Sequence, residues 1–597
     1  MRNKFLIALL FVITFASCNT VNINKFTNNE LPVSERIDYL LSIMTLDEKI
    51  GQMVQIDHKG LIVKSDVQKY FIGSVLSGGG SDPVDNMPES WANLYDNLQN
   101  YALNTRLGIP IVYGVDAVHG HNNVYGAVIF PHNIGLGSTR NPQLVEEISK
   151  ITAIEVAATG IDWTFSPCIA VPQDERWGRT YEGFSEDPQL VSLLGRASIR
   201  GYQGDDLSNP LTIAATAKHY VADGGTNGGR DQGNAAISEE VLRDIHLFPY
   251  IGAVDEGVAS IMASFSSWNG KKIHGNKYLL TDVLRGDLEF SGVVVSDWDA
   301  LRQLPGSYEN QIVEGINSGI DLVMLSNGYV EFLSLLKKAV ISGKVPQERV
   351  DEAVRRILEM KYKLDLFNNP LTDRSLITSI GSKEHREVGR QAVRESLVLL
   401  KNNNNILPLN SDIKNVVVSG KSANNLGNQC GGWSIGWQGE RGNDFTIGTT
   451  ILDGIKNGVS KSTNVIYSRS GKEVDNSNDV AIVVIGELPY AEFEGDDKNL
   501  TLSVADIETV KELKAKGYKI VTVLISGRPM IINEVLELSD AFIAAWLPGT
   551  EGDGVADVLF GKYNPTGKLP HTWPANISSG GSSETLFPLG YGLTYEK

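Results

Sequence analysis

From about Val33 to Phe367, short β-rich runs alternate with helical patterns, and this alternation constrains the fold more than any other feature of the chain. Strands separated by helices pair in parallel and are covered on both faces, so each reads as a nearly continuous apolar run. The runs are Gly73 to Leu76, Pro110 to Val115, Asp162 to Phe165, Thr212 to Ala217, Ser260 to Ser264, Val293 to Ser296 and Asp321 to Met324. Seven or eight such units over this length predict a (β/α)8 TIM-like barrel across residues 33–367. Polar groups gather where the runs end: Asp116, Lys218 with His219, Ser264 with Ser266, and Asp297. Convergence of several strand ends on one rim is how barrels build sites.

Asn368-Asn369-Pro370 stops the helix predicted over Val350 to Leu366, and 368–384 reads as a linker. Residues 385–597 form a second unit, an α/β sandwich domain: an open sheet with helices on both faces and a closing tail. Its strands are Val416 to Ser419, Asn464 to Tyr467, Val480 to Ile485, Ile520 to Ile525 and Ala541 to Ala545, with a helix over Val504 to Lys514. Ser419-Gly420-Lys421-Ser422 follows a strand, but a phosphate loop would need Gly where Asn415 stands, so no such cradle forms. Asn402 to Asn405 reads as a solvated turn.

Met1 to Ser17 carries Arg2 and Lys4, the apolar run Phe5 to Phe15 and the small pair Ala16-Ser17, the order of a secretion signal. The run is too short to span a bilayer. Phe15-Ala16-Ser17-Cys18 resembles a bacterial lipobox with Phe in place of the usual Leu, so Cys18 is the expected lipidation site and 18–32 a tether. The alternative is a plain secretory signal with an incidental Cys. Lipidation implies a periplasmic chain attached to the membrane only through the lipid. The remaining Cys168 and Cys430 have no zinc-site spacing and are read as buried free thiols, a single bridge between them being the alternative. A net charge of −18 argues against a nucleic-acid partner and suits a neutral substrate.

Asp297, just past the apolar run Val293 to Val295, either caps the helix expected near Ala300 or does chemistry, and its position alone leaves both open. A partner carboxylate is available in the second domain, where the strand ending at Ile485 leads into Gly486-Glu487-Leu488-Pro489-Tyr490-Ala491-Glu492-Phe493-Glu494-Gly495-Asp496-Asp497. Pro and Gly make this a loop, and its carboxylates suit either catalysis or a calcium ion, although the EF-hand spacing is absent. Two carboxylate sites together fit glycoside hydrolysis, which needs one nucleophile or base and one acid. Sugar sites also need aromatic walls and polar groups for the hydroxyls. Trp298 follows Asp297, and Cys430 to Gly439 holds Trp433 and Trp437 in a Gly-rich loop.

Five ordered motifs carry a resemblance. They are Gly114-Val115-Asp116-Ala117-Val118-His119-Gly120-His121-Asn122-Asn123; Arg176-Trp177-Gly178-Arg179 with Tyr181-Glu182; Ala217-Lys218-His219-Tyr220; Val295-Ser296-Asp297-Trp298; and the Glu487 to Asp496 loop. Through them the chain, from about Val33 onward, resembles glycoside hydrolase family 3, in its two-domain β-glucan exohydrolase and β-glucosidase branch. The resemblance implies that Asp297 is the nucleophile and Glu492 the acid/base, with Glu487 and Glu494 as neighbouring alternatives. It implies that Asp116, Arg179, Lys218 and His219 grip a terminal glucose, and that Trp298 and Trp437 wall the site, with Trp433 the alternate. Around Gln232 the sequence departs from the plant-type enzymes, which carry a substrate-contacting Glu there. The implied activity is retaining exo-hydrolysis of β-linked gluco-oligosaccharides without cofactor or metal. Alternatives are a β-xylosidase, a β-N-acetylglucosaminidase of the same family, and a sugar-binding lipoprotein that has lost catalysis. Linkage preference and oligomeric state are not legible.

Overall fold

The computed structural model describes residues 22–477, 479–578 and 581–595; Cys18 and the signal-like segment lie outside the described residues. Eight strands surround one core: β1 (Val54–Asp57), β2 (Ser74–Ser77), β3 (Val112–Val115), β4 (Trp163–Thr164), β5 (Thr216–Tyr220), β6 (Ser260–Ala263), β7 (Val293–Val295) and β8 (Val323–Leu325). Five form one parallel sheet in the order β8-β1-β2-β3-β4, and three form another in the order β7-β6-β5. Parallel bridges Trp163↔Ala214 and Val295↔Leu322 join the two sheets at both seams, so the barrel closes and has no free edge. Helices such as Pro88–Leu103, Pro142–Ala157 and Pro188–Gln203 cross between strands on the outside.

Two expectations about the strands shift. β1 is not among the apolar runs because Gln55 and Asp57 interrupt it, yet all four of its residues are buried. The run expected over Thr212 to Ala217 becomes a ladder only at Thr216, which pairs with Ser260, while Ala214 makes the isolated bridge. Lys218 and His219 therefore lie within β5 and not beyond it. The start of the described chain is docked: Phe26 is buried, its ring stacks on Tyr39, and its carbonyl accepts from Tyr362 Oη at 2.8 Å.

The second domain has a six-stranded sheet: β9 (Val398–Asn402), β10 (Asn415–Ser419), β11 (Asn464–Tyr467), β12 (Val480–Gly486), β13 (Lys519–Ile525) and β14 (Ala541–Trp546). The order is β9-β14-β13-β12-β10-β11, parallel except for the antiparallel edge strand β9. The chain leaves β10 toward β11 on one side and returns to β12 on the other, so the strand order switches between β10 and β12. Ligand crevices in open α/β sheets form at that point, beyond the carboxyl ends of the strands. A hairpin, Trp573–Ser578 with Gly581–Phe587, precedes the tail, which bridges back to β9 at Leu399↔Leu593. Among the described residues no helix is long and apolar enough to cross a membrane. Cys168 and Cys430 are free and buried.

Asp321 fastens the end of the barrel opposite the strand ends that carry Asp116 and Asp297. It is fully buried just before β8 and accepts from Arg285, Arg349 and Arg356 at 2.7, 2.7 and 3.0 Å and from the Val294 N–H at 3.0 Å. Burial pushes its pKa up, but the three guanidiniums outweigh burial and hold it below the ordinary value. Removing the carboxylate strands three partly buried cations, which should cost roughly 3–5 kcal/mol. Asp321→Ala should therefore lower the thermal unfolding midpoint at neutral pH. Because the folded pKa is depressed, the contribution is present above the unfolded value and is lost as pH falls through the folded one. The gap between wild type and variant should narrow in acid; a gap that is absent at neutral pH would refute the clamp.

Candidate active site

Barrel strand ends supply one half of the site. Asp116 directly follows β3; its carbonyl accepts from the side chains of Asn122 and Asn123, and its carboxylate from Lys218 Nζ at 3.2 Å. Asp297 stands two residues past β7. Its Oδ1 accepts the Trp298 N–H at 2.7 Å and its own N–H donates to His274 Nε2 at 3.0 Å. Oδ2 has no hydrogen-bond partner in the protein, and His219 Nε2 lies 3.8 Å away. Asp297 is not a side-chain cap: the turn Ala300–Gln303 is preceded by Asp299, whose carboxylate is engaged by Ser326.

The second domain supplies the other half from the loops after β10 and β12, the two strands at the switch point. The loop after β10 brings Trp433 and Trp437. His119 and His132 of the barrel approach the carbonyls of Trp433 and Gly432 at 3.2 and 2.9 Å, and Ile435 N–H donates to Asn122 O at 2.8 Å. A side chain at Gly432 would lie 2.1 Å from Tyr490 O and 2.3 Å from Tyr181 Oη, so only glycine allows this approach. The loop after β12 brings Glu492. Gly178 meets it so closely that a Cβ there would lie 2.0 Å from Glu492 O. Asp496 pins the loop by accepting the N–H groups of Gly178 and Asp231, each at 2.9 Å.

Of the three glutamates in that loop only Glu492 reaches the cavity. Glu487 is taken by Arg528, the Gly527 N–H and Tyr490 Oη, and Glu494 faces solvent. Glu492 Oε1 accepts from Arg179 Nη1 at 3.0 Å. Arg179, only 3% exposed, also binds Glu182 through Nε and Nη2 at 2.9 and 2.8 Å, and its Nη2 lies 3.2 Å from His219 Nε2. Glu182 in turn accepts the Trp433 indole N–H at 3.1 Å. His219 Nδ1 lies 2.8 Å from Asp223.

A cavity of about 520 Å3 lies between the domains, lined by the nine residues to which the resemblance gives catalytic or sugar-binding roles, Asp116, Arg179, Lys218, His219, Asp297, Trp298, Trp433, Trp437 and Glu492, but not by Ser264 and Ser266, which bond to each other and, through Ser264, to Asp223. Trp298 is 37% exposed and Trp433 only 7%, so Trp433 is packed into the wall while Trp298 stands at the mouth. Burial raises the pKa of Asp297 to about 7, against the pull of Arg179 and Lys218. Burial raises Glu492 further, to about 8; Arg179 opposes it and the Asp297 charge adds to it. His219 is held neutral by burial and by the Arg179 and Lys218 charges, and burial likewise holds His274 neutral, leaving its Nε2 free to accept the Asp297 N–H. Both carboxyls are thus held above the ordinary carboxylate range, and a charge on Asp297 favours the protonated form of Glu492, as acid-assisted displacement needs.

Several lining residues carried no signal in the sequence. Phe165, Met262 and Met324 form a buried apolar floor, Phe265 adds to the wall, and Gln303 donates to Gln232 at 2.9 Å beside it. Phe493 follows Glu492 and was hidden among the acids of its loop. His274 is brought to Asp297 by tertiary contact, and nothing local marks it.

Comparison with known proteins agrees with this architecture. Residues 45–360 match the glycosyl hydrolase family 3 N terminal domain and 397–595 the glycosyl hydrolase family 3 C-terminal domain. A lysosomal beta glucosidase of Dictyostelium discoideum is 35% identical over an alignment covering 94% of this chain and 76% of that protein. Among solved structures, the exo-1,3/1,4-beta-glucanase of a Pseudoalteromonas species is 42% identical with a TM-score of 0.89, covering 96% of this chain and 76% of that one. A beta-glucosidase from Listeria innocua, solved with isofagomine, is 28% identical with a TM-score of 0.82, covering 94% and 83%. With both domain families matched in order and the cavity formed where the two domains meet, the chain belongs to glycosyl hydrolase family 3.

Proposed function

We propose that this protein is a retaining, exo-acting β-glucosidase that releases glucose from the non-reducing ends of β-glucosides and β-gluco-oligosaccharides. The observation that carries the reading is the single cavity in which Asp297 and Glu492, both of raised pKa, meet a fence of hydroxyl-binding groups and aromatic walls. The names of the relatives support it, and the buried floor of Phe165, Met262 and Met324 suits a blind pocket that takes one terminal sugar.

In the first step Oδ2 of Asp297, the oxygen with no protein hydrogen bond, attacks the anomeric carbon while Glu492 protonates the departing oxygen. In the second, Glu492 takes a proton from water, which releases glucose and frees Asp297. Retention calls for the two carboxyls to be about 5–5.5 Å apart. The Trp298 N–H and His274 orient Asp297, while Asp116, Lys218, His219 and Arg179 bind the sugar hydroxyls. Asp116 is an acceptor when ionised, and Lys218 and Arg179 are donors. Arg179 also holds Glu492 in place. Every step is carried by groups of the chain itself, so the reading calls on no cofactor or metal.

An activated 2-fluoro-β-glucoside should inactivate the enzyme and label Asp297, read by peptide mapping; a label on Asp299 or on any residue of the second domain overturns the assignment. Glu492→Ala should lose roughly 10²–10⁴-fold on substrates with poor leaving groups and far less on activated aryl glucosides, with azide restoring turnover as β-glucosyl azide. The wild-type kcat/KM profile should be a bell with both limbs above the ordinary carboxylate range, falling in acid as Asp297 protonates and in base as Glu492 loses its proton. If Glu487→Ala or Glu494→Ala shows the selective loss instead, the acid is that residue.

The reading extends to location. We infer from Phe15-Ala16-Ser17-Cys18 that the mature protein is lipid-anchored through Cys18 on the periplasmic side of a bacterial envelope. Asn19-Thr20 offers no acidic run after the Cys to mark export to the outer surface. Cys18→Ser should shift the enzyme from the membrane fraction to the soluble fraction, and unchanged membrane association would remove the anchor.

A further inference from the structure

We propose that Phe493 is a specificity-determining residue whose ring supports the departing part of the substrate and favours β-linked glucose oligomers over β-glucosides of small alcohols. The proposal rests on the β-glucosidase reading and adds to it the identity of the leaving-group surface.

A lone exposed Phe is common on protein surfaces and means little by itself. The position of this one decides the matter. Phe493 is 47% exposed yet lines the cavity, in the turn Glu492–Gly495, immediately after Glu492. Glu492 and Phe493 line the same cavity, and an acid must come within about 3 Å of the oxygen it protonates. A group attached to that oxygen on the departing side therefore enters the part of the cavity that Phe493 lines. Phe165, Met262 and Met324 are buried and floor the first sugar's end of the cavity, whereas the exposure of Phe493 places it toward the mouth, where the rest of the substrate must lie.

The ring is held for this task. It meets Trp437 edge-on, with centroids 5.6 Å apart and planes at 60°. Its turn is latched to the barrel by Asp496, and Arg528 Nη2 donates to Gly495 O at 2.6 Å while Arg528 Nη1 reaches the carbonyls of Glu175 and Arg176. A contact surface fixed before the ligand arrives loses little entropy on binding. A second glucose presents an apolar C–H face that an aromatic ring can cover; the methyl of methyl β-glucoside is too small to do so. The competing explanation is that Phe493 only shields Trp437, in which case its loss would affect every substrate alike.

The test is the ratio of kcat/KM for a β-linked glucose disaccharide, laminaribiose or cellobiose, to that for methyl β-glucoside. Both leave as alcohols protonated by Glu492, and their difference in leaving-group acidity is the same in wild type and variant, so the change in the ratio isolates contact with the departing group. Phe493→Ala should lower the ratio about three- to tenfold, the range expected for losing one aromatic contact. Phe493→Leu should lower it too, and Phe493→Tyr should preserve it. A wild-type ratio in Phe493→Ala, or full retention in Phe493→Leu, overturns the proposal while leaving the glucosidase reading intact. Failure of the wild type to hydrolyse any of these β-glucosides overturns both.

Discussion

The guanidinium of Arg179 is the interaction on which the site depends. It belongs to the barrel, is almost wholly buried, and divides its donors between Glu182 of its own loop and Glu492 of the second domain. A buried cation is tolerable only when paired and hydrogen-bonded, and a fork of fixed geometry ties its partners to each other as well as to itself. Through Glu182 the same fork reaches the Trp433 indole, and through Nη2 it approaches His219. Glu492, one aromatic wall and His219 are thus registered against a single group. Such a pair adds little net stability, since desolvation offsets most of the attraction, so its value here lies in position.

Two topological rules converge on that point. A parallel barrel offers its strand ends on one rim, and an open α/β sheet offers a crevice where strand order switches. The rim carrying Asp116, Lys218 and Asp297 faces the loops that leave β10 and β12, and close packing without side chains at Gly178 and Gly432 lets the two surfaces meet. Neither domain contains both carboxyls. The helix Lys383–Ser396 holds the domains together from behind, with His385 on Glu155 of the barrel and Arg390 and Arg394 on Asp557 of the second domain.

What the sequence made legible follows from how each element is buried. β6, β7 and β12 are covered on both faces and read as apolar runs, so their ends, and hence Asp297 and the acidic loop, could be located. β1 was concealed because Gln55 sits in the barrel interior bonded to Ser74, a polar layer that apolar patterning does not anticipate. β9 was missed because it follows the helix Lys383–Ser396 with only Leu397 between them, leaving no turn residues to mark the change. Ordered motifs made the principal site residues legible through resemblance, whereas His274, Asp223 and Phe493 join the site through contacts or exposure that leave no local pattern.

The charge balance explains why the site can keep an acid protonated without a dedicated donor. Asp116, Glu182, Asp223, Asp231, Asp297 and Glu492 crowd around the basic side chains of Arg179 and Lys218, with Lys272 near Asp231 and Asp223, while His219 stays neutral. Carboxyls that outnumber the basic groups in a buried space cannot all ionise, so protons remain where compensation is weakest. Arg179 is committed to Glu182, which it, with Lys218, holds below the ordinary range despite burial. Glu492 shares Arg179 with that stronger competitor and lies near the Asp297 charge, so burial dominates and its proton is retained. Asp297, once ionised, stands where the positive charge of an oxocarbenium-like transition state develops, and stabilises it there.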